Sequence, residues 1–139
     1  MASAQPALVE LKIPSRPEFV SVARLAILGV ASRAQFSYDE VEDVRLAVGE
    51  ACTTAVERAS RAQRTDGQIT IRSEILENKL TIEVEDDVSL QPQSSEAKSP
   101  EDLDEQGLGA LLMELLVDEF VITATPDGGT LVRMVKYAG

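Results

Sequence analysis

The chain has 139 residues, 44% of them hydrophobic, with 13 Lys and Arg against 24 Asp and Glu for a formal net charge of -11 at pH 7, one cysteine and no histidine. A chain of that length buries about two thirds of its unfolded surface in one core, so it needs no disulfide or structural metal to fold. The lone Cys52 excludes an internal disulfide, the missing histidine excludes His-based triads and His-ligated metals, and the acidic balance opposes the nucleic-acid phosphate backbone, whose binding rests on clustered Lys and Arg.

The opening MASAQPALVELK lacks a basic region followed by an apolar run, and no stretch has the length of a membrane span, so no membrane association is expected and the protein reads as cytoplasmic. Val9, Leu11 and Ile13 alternate with Glu10 and Lys12, the period of a strand with one buried face, ending at Pro14. Ser15 and Glu18 have the spacing of a capping box. A helix is predicted from about Pro17 to Arg33, with an apolar stripe of Phe19, Val22, Ala23, Ala26, Ile27 and Val30. A second capping box, Ser37 with Glu40, opens the central helix, in which Val41, Val44, Val48, Ala51, Ala55 and Ala59 form a stripe facing the core. Glu50 and Thr54, one turn apart, project from the flank of that stripe rather than from its solvent face.

After a polar loop from Arg61 to Gly67 the period changes to two. Ile69, Ile71 and Ile75/Leu76, then Glu77-Asn78-Lys79, then Leu80 to Glu85 read as a β-hairpin. From Asp86 to Gln106 the chain is rich in Gln, Ser, Pro and acidic residues and offers little to bury, the composition of a functional lid or a disordered segment. Gly107-Leu108-Gly109 opens a third helix, Ala110 to Val117, whose Leu111, Leu112, Leu115 and Leu116 predict that it is well buried. Phe120, Ile122 and Ala124 form a strand, Pro126 to Gly129 a turn, and Leu131, Met134 and Val135 belong to a last strand ending near Tyr137. No internal repeat or domain boundary is visible, so residues 1–139 read as one domain. Its element order predicts an α+β fold, a two-layer sandwich with an antiparallel or mixed sheet and helices packed on one face.

Taken alone, Glu50 is also what an ordinary solvated helix glutamate looks like, Asp86 a strand-ending aspartate and Thr130 a β-branched strand residue. Their company points further. Glu50-Ala-Cys-Thr-Thr54-Ala resembles the first motif of the GHKL-type ATP-binding proteins, in particular the anti-sigma-factor serine kinases of the RsbW/SpoIIAB family, where the pattern is Glu-Ala-Cys-Thr-Asn-Ala. Gly107 to Glu119 resembles the family's second glycine motif and the helix after it. Gly129-Thr130 resembles the third, and Pro17 to Val20 with Arg24 and Leu25 resembles the first helix.

The resemblance runs over nearly the whole chain and implies a Bergerat/GHKL (histidine-kinase-like ATPase) fold, ATP and Mg²⁺ as cofactors, and partner switching between a sigma factor and a small anti-anti-sigma protein of the STAS type. By the same resemblance Glu50 is the general base for a substrate serine, Asp86 and Thr130 serve the adenine end, and Gly107, Leu108 and Gly109 serve the phosphates. The segment 86–106 is then a lid over the triphosphate, and a homodimer is the common state. Two positions depart from the pattern at the nucleotide chemistry itself, and Gln106 also replaces a glycine often found just before Gly107. Thr54 stands where the family has its Mg²⁺-binding asparagine, and Asp86-Asp87-Val88 replaces Asp-x-Gly, so that Val88 should crowd the pocket or bend the loop away. The sequence therefore leaves open a working, atypical kinase or a relative that regulates by protein contact alone, with weak or no ATP binding.

Overall fold

The alternation of apolar and charged residues at the N-terminus produces β1, Ala7–Pro14, at one edge of a five-stranded sheet. The computed structural model describes residues 5–64, 66–89 and 105–139, with side chains from Gly107 onward in the last segment. Beside β1 lies β2, Gln68–Leu76, which forms the expected hairpin with β3, Lys79–Asp86. β4, Glu119–Ala124, takes the far edge, and β5, Thr130–Tyr137, is inserted between β3 and β4, giving the order β1-β2-β3-β5-β4 with every pairing antiparallel. The helices are α1, Val20–Ala31, α2, Tyr38–Arg61, and α3, Glu105–Leu116. Of the two sheet types left open by the sequence, the antiparallel one is found.

Register makes the core. Ile71 pairs with Val84, Val84 with Val132, and Ile82 with Met134, so one face of the sheet presents a continuous apolar layer to Ile27, Val44, Val48 and Ala51 of α1 and α2. The start of α2 follows its local sequence. Ser37 Oγ accepts from the Glu40 amide at 3.2 Å, and Glu40 Oε1 accepts from the Ser37 amide at 2.7 Å, which satisfies two orphan donors of the first turn. The stripe Val44, Val48, Ala51, Ala55 and Ala59 is buried, and Val41 is half-buried at its entrance.

Two expectations fail, both for reasons of phase. No capping box forms at Ser15. The residue ahead of the helix is extended Arg16, and Pro17 starts a single 3-10 turn, Pro17–Phe19, before α1 begins at Val20. The Ser15 amide instead donates to the Gly67 carbonyl at 3.0 Å, and its buried Oγ has no partner among the described residues. Starting the α-helix at Val20 turns Val20, Ala23, Ile27, Val30 and Ala31 inward and leaves Val22 exposed.

The second failure concerns α3, whose leucines are not well buried. Leu115 is 75% exposed and Leu112 is exposed, whereas Met113, Gly107 and Gly109 are buried. The helix lies mainly on α2 rather than flat on the sheet, and its glycine side, not its leucine side, makes that contact.

Cys52 sits wholly inside this core, where burial pushes its thiol up to about 12. Because the thiolate is the reactive form, the native protein should be inert to a disulfide-exchange reagent at neutral pH and should react with one equivalent once unfolded in denaturant. Fast labelling of the native state would contradict this packing. Among the described residues no helix is long and apolar enough to cross a membrane.

Candidate functional site

Steps of four along α2 place Glu50, Thr54 and Arg58 in one row on the flank between the core stripe and solvent. The row faces the first turns of α3 at one end and the last residue of β3 at the other. At the α3 end the backbone of Gly109 rests on the row. A Cβ at Gly109 would stand 2.6 Å from Glu50 Oε1 and 2.9 Å from Thr54 Cγ2, so only glycine lets the helix approach so closely. Thr54 is buried, and its hydroxyl donates to the Ala51 carbonyl at 3.0 Å.

Asp86 closes the other end. Its side chain is buried, and Oδ2 accepts from Arg58 Nη2 at 2.7 Å and from Arg58 Nε at 3.2 Å. Oδ1 accepts from the Val88 amide at 3.2 Å. Thr130 lies opposite Asp86 in the β3–β5 register, and its hydroxyl donates to the Val88 carbonyl at 2.6 Å. Val88 is thus held by both partners and buried with only 4% exposure. Of the two outcomes expected for Val88, the loop does not bend away; the side chain packs inward.

The electrostatics follow from this placement. Burial raises the Glu50 carboxyl above its ordinary range, nearby Glu57 adds to the rise, and the charge of Arg24 opposes it. Arg24 crosses α2 at Gly49, where any Cβ would collide with its guanidinium. Burial likewise raises the Asp86 carboxyl, opposed first by the charge of Arg58, then by its hydrogen bonds and the Val88 amide. The paired guanidinium favours the ionised carboxylate against that burial.

The sequence-predicted residues are therefore brought together as two clusters on one row. Glu50, Thr54 and Gly109 form the first, and Asp86, Thr130 and Val88 the second. Arg58 joins them and was missed from the sequence, although its spacing of four from Thr54 and eight from Glu50 marks the same flank. Gly107 is buried, but α3 begins at Glu105, so both glycines lie inside the helix rather than ahead of it; Leu108 between them points outward, 46% exposed. Most of the lid expected over 86–106, residues 90–104, lies outside the described residues.

A nucleotide fits these residues in kind: a carboxylate, already engaged by Arg58 and the Val88 amide, at one end, glycines in the first turns of α3 at the other, and a desolvated glutamate beside them. A metal has less to hold it. Among the described residues no cluster of three or more potential metal-ligating side chains is present, so a cation beside Thr54 would draw most of its oxygens from a bound triphosphate and water. A cleft of about 470 Å³ at the same end of the sheet shares Asp86 and Gly129 with these motifs. It opens on the outer face between Lys12, Thr70, Arg72, Glu85 and Asp127, and Glu50, Thr54 and Gly109 do not line it.

Comparison with known proteins agrees with the geometry. The profile of the histidine kinase-like ATPase domain matches residues 13–136. The serine-protein kinase RsbW of Bacillus subtilis is 38% identical over 138 residues, covering 93% of this chain and 84% of the relative. That of Listeria monocytogenes is 38% identical over 139 residues, covering 93% of this chain and 86% of the relative. Among solved structures, the RsbU and RsbW domains of a Mycobacterium tuberculosis protein superpose with a TM-score of 0.70 at 15% identity, covering 94% of this chain and 32% of that longer one, which is a likeness of fold. The chain belongs to the histidine kinase-like ATPase family, in the branch of the RsbW serine-protein kinases.

Proposed function

We propose that the chain is an anti-sigma factor of the partner-switching type, acting in the cytoplasm as an ATP-dependent serine kinase of a small anti-anti-sigma (STAS-type) protein. The observation that carries the reading is the half-buried Glu50, whose carboxyl is raised by desolvation and set against the glycine turn of α3, on the same row that leads to Asp86.

Bound ATP supplies the phosphoryl group, with Mg²⁺ neutralising the charge on its oxygens. The chain's own residues bind, orient and move one proton. Glu50 accepts the hydrogen of the partner's serine hydroxyl, and its raised pKa makes it a stronger base than a free glutamate. Gly107 and Gly109, without side chains in the first turns of α3, let the phosphates approach the positive end of the helix, with Leu108 between them. Asp86 accepts from the amino group of the base, and Thr130 steadies it through Val88. Thr54 would help to hold Mg²⁺ through its hydroxyl oxygen, which stands where the family has its asparagine. The working unit is a homodimer of this domain, residues 1–139.

Release follows from charge. A phosphoserine brings roughly two negative charges to the partner, and this chain already carries a net charge of -11. The phosphorylated partner is repelled, and the freed surface takes the sigma factor. Incubation with γ-labelled ATP and a candidate STAS protein should place label on a serine of that protein. Retained partner binding with no transfer would replace the kinase by a regulator that works through contact alone.

A further inference from the structure

The strongest feature left unused is the buried pair Arg58–Asp86. It joins residues 28 apart in sequence, with a shortest contact of 2.7 Å and side chains only 5% and 1% exposed. We infer that Arg58 occupies, on Asp86, the hydrogen-bonding place that a purine amino group takes, so that base recognition is an exchange of donors at one carboxylate. The inference rests on the nucleotide reading above and adds a specificity-determining residue to it.

Three observations lead there. A guanidinium and an exocyclic purine amino group are both planar N–H donors, and both seek the same in-plane lone pairs of a carboxylate. Asp86 Oδ2 already accepts two N–H groups of Arg58, and Oδ1 accepts the Val88 amide. With about four lone-pair positions on a carboxylate, little acceptor capacity remains for an incoming base. The donor to be replaced is also the stronger one, because a hydrogen bond between two ionised groups exceeds that from a neutral amino group. Finally, Arg58 reaches Asp86 from a helix fixed by Ala51, Ala55 and Ala59 in the core, so the exchange is a movement of one long side chain. The wild-type protein should accordingly bind ATP weakly and read the amino group poorly.

Calorimetric titration of the full chain with Mg-ATP, and with Mg-purine riboside triphosphate, which lacks the amino group, tests this. Arg58→Gln keeps a neutral donor in place. It should bind ATP at least about tenfold more tightly than wild type, a difference of roughly 1.4 kcal/mol, and should prefer ATP over the deamino analogue more strongly. Arg58→Lys, which keeps the charge but loses the two-pronged contact, should fall between. If the Gln variant fails to fold, the Lys variant carries the same comparison.

Unchanged or weaker ATP affinity in folded variants, with wild type binding, would overturn the inference and leave the nucleotide reading standing. Tighter binding with no gain in preference would place the action of Arg58 elsewhere and would overturn it too. Absence of binding in wild type and both variants would remove the inference together with the nucleotide reading.

Discussion

Glu50→Gln should lower phosphate transfer to the partner protein by about 10²- to 10⁴-fold, the usual contribution of a positioned general base, while leaving partner binding intact. Glutamine keeps the shape that packs against Gly109 but cannot take a proton. The pH dependence separates this role from a structural one. Burial raises the Glu50 carboxyl above its ordinary 4.5, and only the ionised form is a base. Wild-type activity should therefore climb with pH along a limb centred above that of a free glutamate. The residual activity of the variant should lack the limb.

The sign for stability is opposite. A carboxyl whose folded pKa is raised contributes stability that is fully present below its unfolded value and is lost as pH rises through the folded one. Above the folded pKa the wild type has lost that contribution, so there the Gln variant should unfold at the same temperature or higher. Initial rates and thermal unfolding between pH 4 and 8 check both statements. A variant that loses stability and partner binding along with transfer would mark Glu50 as a structural residue.

The largest effect on stability is expected at the other end of the row. Asp86→Ala removes the carboxylate from a buried guanidinium, and breaking a buried pair on one side costs about 3–5 kcal/mol. For a domain of this size the unfolding midpoint should fall by roughly 10 to 20 °C. The surface pair a residue away provides the comparison. Arg64 and Asp87 meet at 3.3 Å but are about half exposed, so Arg64→Ala should cost at most about 1 kcal/mol. Thermal denaturation of the two variants side by side is the measurement. Equal, small losses would mean that Arg58 and Asp86 are as well solvated apart as together.

Much of the fold was legible because its signals are local. The Ser37–Glu40 capping box, the stripe from Val44 to Ala59 and the hairpin alternation from Ile69 to Glu85 each follow from a few adjacent residues. The errors arose where the outcome depends on phase or on a distant neighbour. A single 3-10 turn before Val20 rotates α1 enough to exchange Val22 for Val20. In α3, Leu111, Leu112, Leu115 and Leu116 fall at i, i+1, i+4 and i+5, one stripe that reads as a core face, yet Leu112 and Leu115 are exposed. The buried side is decided instead by where glycine permits contact with Glu50 and Thr54.

The site shows the same division. Glu50, Asp86, Thr130 and the glycines were placed by motif, and the structure sets Gly109 against Glu50 and pairs Asp86 with Thr130 in the sheet. Arg58 was not legible as part of it, because an arginine in the last turn of a helix ordinarily faces solvent, and its partner lies on a strand reached only through the tertiary fold. Val88 was expected to crowd the pocket or bend the loop away, and its side chain is buried. Its backbone, however, also links Asp86 to Thr130, a contact that residue type alone does not announce.

The most direct test of the nucleotide site is thermal unfolding of the whole chain with Mg²⁺ alone and with Mg²⁺ plus excess ATP. A ligand at a hundred times its dissociation constant stabilises by about 2.7 kcal/mol, which should raise the midpoint by roughly 5 to 15 °C. A rise with ATP that Mg²⁺ alone does not give is the predicted result. An unchanged midpoint at millimolar ATP in both the wild type and Arg58→Gln would contradict a nucleotide site between Glu50 and Asp86.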